Sequence, residues 1–390
     1  MNILTFNFGS FTHYDLLIKL KEMGYTYKNI DFFYERNNAD LKYHYDEFEQ
    51  LLINELQSNF DCVITTNFYP IIAKICHQKN VKYLAWSYDS PINLPCTDEM
   101  EHLTNFIFLF DKNEVKKYQA MGFDNFYHLP LAVNCDRLDL IHPCSKYETD
   151  ISFMGQLYES ILPVLERLML PYQQELIDKL ISTQLNIYGN WFIDDVLTDN
   201  IVNDINRHLL SQSTEAIQIS KQQLSYALAQ HITHIERITL LNLFHKMGYK
   251  VDLYTYDLSE NEKELLKGIN VHGKLSYQNE MPQLFKSSKI NLNPTLKNIT
   301  SGISLRALDI IGSKGFLLAN YQPEIAEYFK ENEEIVMYSS MEDALEKASF
   351  YLEHDDLRNK ITMSGYNKIR ENFNYENRIS KMFETAKLLF

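Results

Sequence analysis

The stretch 291–318, NLNPTLKNITSGISLRALDIIGSKGFLL, constrains the fold of this chain most. It reads as the end of a buried strand, a polar loop, a helix and a second strand. Thr300 or Ser301 is placed to cap the helix by accepting a hydrogen bond from a first-turn amide. Gly302 keeps that turn open to close approach by a ligand. Ile303, Leu305, Ala307, Leu308, Ile310 and Ile311 make the helix apolar over most of its circumference. The polar exceptions, Gly302, Arg306, Asp309 and Ser313, fall at i, i+4, i+7 and i+11, one narrow stripe. A helix apolar nearly all round is buried, so a charged stripe on it faces a partner or a cleft. The free amides at its start favour an anion such as a diphosphate. The competing reading is an internal Arg306–Asp309 ion pair on a partly exposed helix.

The rest of the chain repeats this alternation. A strand at 2–7 is followed by a Gly9-bearing turn and a helix ending near Gly24. Further strands are expected at 61–65, 82–86, 105–110 and 125–129, separated by helical stretches. Short β-branched or aromatic runs alternating with helices predict a parallel sheet covered on both faces. The segment 131–148, with Pro143 and loose polar residues, reads as a linker. A second series opens at 150–154 with Gly155 at its tip and continues at 251–254, 269–272, 289–292, 315–318 and 334–338. Between Leu157 and Ile235 the rhythm breaks. That segment is polar and helical in pattern, with a strand signal only at 185–188, and is too long for a loop, so it reads as a helical insertion. Two Rossmann-like halves place a ligand cleft between domains, beyond the carboxyl ends of the strands.

Composition narrows the class. The chain has 390 residues, 45% hydrophobic and 23% charged, a length that predicts two domains. Its net charge of −15, with no basic run, argues against nucleic acid or an anionic membrane surface as main partner. Five cysteines without a Cys-x-x-Cys pair predict reduced thiols and a cytoplasmic setting. Neither a signal peptide nor a transmembrane segment is expected. Asp194-Asp195 lies in the insertion. His231 and His234 share a helical face without a third ligand, as surface or partly buried polar residues do. No Ser-His-Asp or Cys-His arrangement can be placed.

ISFMG at 151–155, GKLSY at 273–277, LNPT at 292–295, SLRALD at 304–309 and GFLL at 315–318 together resemble the GT-B glycosyltransferases, in particular the bacterial-type spore-maturation CgeB-like family. WSYDSP at 86–91, FLFD at 108–111 and HLPLA at 128–132 resemble its N-terminal domain. YLEH at 351–354, Leu357-Arg358 and Gly365-Tyr366 resemble its C-terminal end. The similarity covers most of the chain outside 157–235.

The resemblance implies an α/β fold of two Rossmann-like domains facing each other across a cleft. These would be residues 1–147 on the acceptor side and 148–372 on the nucleotide-sugar side, with helix 373–390 packing back on the first. It implies transfer of a sugar from a UDP- or other NDP-sugar to an acceptor hydroxyl or other nucleophile on a glycan, protein or small molecule, without cofactor or divalent metal. Donor-binding residues would be Gly155, Lys274, Tyr277, Lys297, Thr300, Ser301, Gly302, Arg306 and Asp309. Related retaining enzymes carry two glutamates eight positions apart here; this chain has Ser301 and Asp309. Basic residues expected after the Gly155 loop are replaced by Gln156-Leu-Tyr-Glu-Ser, which leaves the phosphate role to Arg306 and Lys297. Asp89, after a strand end of the first domain, is the candidate base; the alternative is a turn cap before Pro91. Gly9, Ser10 and His13 mark the acceptor-side loop. The insertion is a candidate acceptor or homo-oligomer contact. Competing functions are a non-catalytic nucleotide- or glycan-binding module and a sugar-nucleotide epimerase.

Overall fold

A computed structural model describes residues 1–32, 45–92, 98–212 and 218–388. It divides into two compact units. The first comprises Met1–Arg137, Gly302–Leu308 and Lys368–Phe390; the second comprises Leu138–Ser301 and Asp309–Asn367.

The first unit holds six parallel strands: β1 (Asn2–Asn7), β2 (Thr26–Asp31), β3 (Cys62–Thr66), β4 (Lys82–Ser87), β5 (Asn105–Leu109) and β6 (Phe126–His128), in the order β2-β1-β3-β4-β5-β6. Every residue of β3 is buried, because helices cover both faces of a parallel sheet. The core between sheet and helices includes Leu4, Phe6, Val63, Tyr83, Ala85 and Ile107. β2, TYKNID, is half exposed along its length. It is an edge strand with no apolar run, so periodicity does not reveal it. The helix Tyr375–Thr385 also belongs to this unit. Its Phe383 ring lies 5.1 Å from Tyr25, its Tyr375 ring 5.8 Å from Trp86, and Lys82 Nζ reaches the Ala386 carbonyl at 2.6 Å.

The second unit holds β7 (Thr149–Met154), β8 (Val251–Tyr254), β9 (Asn270–His272), β10 (Ser288–Asn293), β11 (Leu317–Asn320) and β12 (Val336–Tyr338), parallel and ordered β12-β11-β10-β7-β8-β9. Two sheets, each with flanking helices, are the expected α/β architecture. In each sheet the strand order turns back once, between β1 and β3 in the first and between β7 and β10 in the second. At such switch points the flanking loops diverge and open a crevice at the carboxyl ends of the strands.

The insertion is helical, as expected. Helices Leu162–Glu166, Pro171–Gln184, Ile193–Val196 and Asp199–Gln212 pack on the first half of a 26-residue helix, Lys221–Lys246. A separate core of Ile177, Trp191, Ile193, Ile205, Leu224 and Leu228 fills the space between them. The second half of the long helix leaves this core and buries Ile238, Leu241 and Phe244 against the sheet of β7 and β8.

Two local expectations are corrected. Residues 185–188 form no strand. They continue the end of helix Pro171–Gln184 through turns in which the Asn186 and Ile187 amides bond the Thr183 and Gln184 carbonyls, so hydrogen bonding is satisfied locally. The segment 131–148 is not a plain linker: it contains helix Cys135–Asp139 and the turn Ser145–Tyr147. Arg137 Nε there donates to the buried Asp15 carboxylate at 2.9 Å. Cys96 lies outside the described residues, among which no helix is long and apolar enough to cross a membrane.

Gly365 gives a direct test of this packing. A Cβ at that position would lie 2.3 Å from the Glu334 carbonyl oxygen and 3.2 Å from Ile311 Cγ2. Gly365→Ala is expected to destabilise the protein by about 2–3 kcal/mol through overpacking, read as a lower denaturant midpoint. An unchanged midpoint would show that the Glu334 turn yields.

Candidate functional site

At the second switch point, the loop after β7 carries Gly155 and the loop after β10 carries residues 294–301. Gly155 donates its amide to the Tyr254 carbonyl at 3.1 Å. Its Cα faces inward: a Cβ would meet Phe153 Cζ at 3.0 Å and Arg237 Nη1 at 3.9 Å.

Arg237, on the long helix, joins the two loops. It donates from Nε and Nη2 to the Pro294 carbonyl at 3.1 and 2.5 Å and from Nη1 to the Gln156 carbonyl. Its guanidinium carbon stands 4.7 Å from the centre of the Tyr158 ring and 5.0 Å from that of Phe153. One residue earlier, Glu236 is wholly buried and its Oε1 meets Lys297 Nζ at 3.2 Å. Lys297 also donates its amide to Thr233 Oγ1 at 3.0 Å, and its ammonium lies 3.8 Å from the centre of the Tyr188 ring. Burial holds the Lys297 ammonium below its ordinary range, although Glu236 opposes the shift. One buried carboxylate thus pairs with Lys297 and acts on the neighbouring Arg237 through charge alone. The sequence reading had no basic residue behind Gly155. Arg237 fills that place in space, and the insertion is what hides it in the sequence. Lys297, expected at the phosphate, is buried and paired with Glu236.

The loop before the helix departs from expectation in a coherent way. The helix runs Leu305–Gly312, and Ser304 caps it, with the Ala307 amide on Ser304 Oγ at 3.4 Å. Thr300 and Ser301 therefore precede the cap. Ser301 is buried, with Oγ donating to Glu324 Oε1 at 2.8 Å. The Gly302 amide is already used, donating to Asp111 Oδ2 at 3.3 Å. A Cβ on Gly302 would lie 2.6 Å from Phe110 Cδ2 and 3.0 Å from Asp111 Cα. Glycine is required here by the Phe110 ring and the Asp111 backbone. The Gly302 amide and the Ser301 hydroxyl are thus engaged by protein contacts.

On the helix itself, Arg306 is half-buried and Asp309 is 1% exposed. Tyr277 donates its hydroxyl to Asp309 Oδ1 at 2.9 Å, so two residues 32 apart in sequence meet as one polar group. Lys274 goes elsewhere. It is exposed, with Nζ 4.3 Å from the centre of the Tyr256 ring. Both line a pocket of about 690 Å³ with Thr255, Leu258, His272 and Gly273.

At the first switch point, Asn7 Oδ1 accepts the amides of Gly9 and Ser10 at 3.0 and 3.1 Å. Gly9 has φ +85°, a conformation glycine adopts without cost. Gly9 is exposed, but Ser10 and His13 are buried. Ser10 Oγ lies 3.0 Å from Thr12 Oγ1. His13 Nε2 donates to Asn29 Oδ1 at 2.7 Å, and burial keeps the ring neutral by lowering its pKa. These two side chains brace the loop from within and are not presented on its surface.

Asp89 is exposed just beyond β4. Asn67 Nδ2 donates to its Oδ2 at 2.8 Å, a cross-strand contact that the turn-cap reading does not include. The next residue, Ser90, donates to Glu114 Oε2 at 2.7 Å, and the Ile92 amide to Glu114 Oε1 at 2.8 Å. Asp194 in the insertion is structural: its Oδ1 accepts from Trp191 Nε1 and Ser225 Oγ.

Burial pushes the Glu114 carboxyl from 4.5 up to about 7, and Asp111 adds to the rise while Ser90, Ile92 and Lys117 oppose it. A folded-state pKa above the unfolded one means that the native state holds the proton longer. Stability from this group therefore falls as pH rises from about 4.5 to about 7 and then levels. Glu114→Gln removes the titration, so its melting temperature relative to wild type is expected to climb between pH 5 and pH 8. A difference independent of pH would contradict a buried, titrating Glu114.

Residues 239–384 match a family of proteins described as glycosyl transferase-like. No curated protein matches the sequence. Among solved structures, a glycosyltransferase from Rickettsia africae has a TM-score of 0.56 at 14% identity, over 99% of this chain and 98% of that one. Sucrose-phosphate synthase from Thermosynechococcus elongatus has 0.56 at 10% identity, over 100% and 99%. Anabaena HepE, in complex with UDP and glucose, has 0.56 at 9% identity, over 100% of both chains. At these identities the likeness is one of fold. The chain therefore has the α/β fold of the GT-B glycosyltransferases, two six-stranded parallel sheets with flanking helices, and its 239–384 segment is similar to the glycosyl transferase-like family.

Proposed function

We propose that this protein is a glycosyltransferase that takes a sugar from a uridine diphosphate or similar nucleotide donor. The observation that carries this reading is the second switch point. Its two loops are held by Arg237 in a region with two buried cations for one buried carboxylate. Excess positive charge in a poorly solvated setting favours a diphosphate more strongly than the same charge in water. Arg306, at the start of the Leu305–Gly312 helix, is the proposed direct diphosphate contact. Asp309, oriented by Tyr277, is proposed to hold the ribose hydroxyls. The pocket of Tyr256 and Lys274 is where the base would rest. The family match over 239–384 supports the same assignment, and the motifs of the first domain favour the CgeB-like branch.

In the reaction we infer, an acceptor hydroxyl oxygen bonds to the anomeric carbon as that carbon's bond to the diphosphate oxygen breaks. The electron pair leaves with the diphosphate, and the hydroxyl proton passes to the Asp89 carboxylate. Residues of this chain supply the leaving-group stabilisation, so the proposal needs no divalent metal and no cofactor. The scattered, buried thiols of Cys62, Cys76 and Cys135 suit a reducing cytoplasm.

A thermal-shift panel of nucleotide sugars is the first test. The donor raises the melting temperature by mass action, and its conversion to free nucleoside diphosphate separates a transferase from a binding module. Formation of an isomeric sugar without acceptor would instead mark an epimerase. Arg306→Ala is expected to weaken UDP binding about ten- to a hundredfold, the loss of one charge-assisted hydrogen bond. Unchanged UDP affinity with a collapsed melting temperature would make Arg306 structural. Asp89→Asn keeps an oxygen for Asn67 and is expected to lower turnover about a hundredfold with UDP affinity intact. Near-normal turnover would remove Asp89 from the mechanism.

A further inference from the structure

Asn67 directly follows β3, beside the first switch point, and has φ +72°. That region is sparsely populated by residues other than glycine, asparagine being among the commoner exceptions. Strain of this kind persists only where surrounding bonds over-determine it. Here they do. The Asn67 amide donates to the Trp86 carbonyl at 3.1 Å, and its carbonyl accepts from Thr65 Oγ1 at 2.7 Å. With its backbone fixed on both sides, the side chain turns to the neighbouring loop. Oδ1 accepts the Tyr88 and Asp89 amides at 3.0 and 3.3 Å, and Nδ2 donates to Asp89 Oδ2 at 2.8 Å. One carboxamide thus holds both the backbone and the carboxylate of the candidate base. The loop's far side is held by Glu114 through Ser90 and Ile92. Asp89, the exposed member, stands between the two supports.

We propose that Asn67 is a positioning residue for acceptor activation, fixing the Asp89 carboxylate at the carboxyl end of β4. The proposal rests on the reading of Asp89 as the base. An exposed aspartate samples several rotamers, whereas a base must lie within hydrogen-bond reach of the hydroxyl it deprotonates. The bond from Nδ2 restricts that freedom. A purely structural role for Asn67 needs only Oδ1 on the two amides; the Nδ2 bond is what the inference adds.

The test separates these two halves of the carboxamide. Asn67→Asp retains an oxygen for both amides but sets a carboxylate against Asp89. Asn67→Gly accommodates the positive φ and loses all three side-chain bonds. Hydrogen exchange at the Tyr88 and Asp89 amides is expected to stay near wild type in Asn67→Asp and to accelerate in Asn67→Gly. Release of UDP from UDP-glucose is expected to lose about tenfold or more in kcat in both variants, as for a misplaced catalytic group, with KM changed less than about twofold. The swapped pair Asn67→Asp with Asp89→Asn restores the hydrogen bond in reverse and is expected to recover exchange protection but not turnover. If Asp89→Asn loses turnover while Asn67→Asp keeps wild-type kcat, the positioning role is overturned and the base survives. If Asp89→Asn itself is unaffected, the base assignment fails and the positioning role falls with it. Unchanged exchange in Asn67→Gly would also overturn the proposal.

Discussion

The buried trio of Arg237, Glu236 and Lys297 is the interaction on which the second unit's functional end depends. Isolated, any one of these charges would be strongly unfavourable in such a setting. Together they neutralise all but one positive charge, and the surplus is distributed over backbone carbonyls and aromatic faces. Arg237 reaches Gln156 and Pro294 on loops from different strands, and the planar guanidinium suits this because its donors point in fixed, divergent directions. The loops at the switch point are therefore set by a side chain from a helix, which leaves their own sequences freer to serve a ligand. Buried charges kept at a switch point are a stronger pointer to function than the same charges in a core.

Much of the fold was legible because it follows from local periodicity. Strands such as KYLAWS and NFIFL are too apolar to stand anywhere but inside a covered sheet. β2 was invisible for the opposite reason: it pairs with one neighbour only, so nothing requires its side chains to be apolar. The site was legible in part. Tyr277 and Asp309 were both picked out, and their hydrogen bond joins them. The contacts of the Ser301 hydroxyl and the Gly302 amide were not legible because their partners, Glu324 and Asp111, lie far away in the chain. No pattern within the stretch itself announces them. Arg237 and Asn67 were missed altogether, the first behind the insertion, the second as an unremarkable polar residue at a strand end. Its left-handed backbone appears only in three dimensions.

The two switch points are organised by different chemistry. In the second unit the loops are tied by full charges in a buried setting. In the first, neutral carboxamides do the same work: Asn7 gathers the Gly9 and Ser10 amides, and Asn67 gathers those of Tyr88 and Asp89. A carboxamide donates and accepts at once, so Asn67 holds the backbone of the turn and the Asp89 carboxylate together.

The 26-residue helix Lys221–Lys246 spans about 39 Å at the usual rise per residue and belongs to two cores at once. Its amino-terminal half is enclosed by the insertion, its carboxyl-terminal half by the sheet, and Glu236 and Arg237 sit where one environment passes into the other. Leu296, from the β10 loop, is itself part of the insertion's core. The insertion is thus no appendage that could be trimmed from a finished domain. It is one side of a core whose other side is the loop after β10, so the outer helices and that loop cannot be assembled independently of each other.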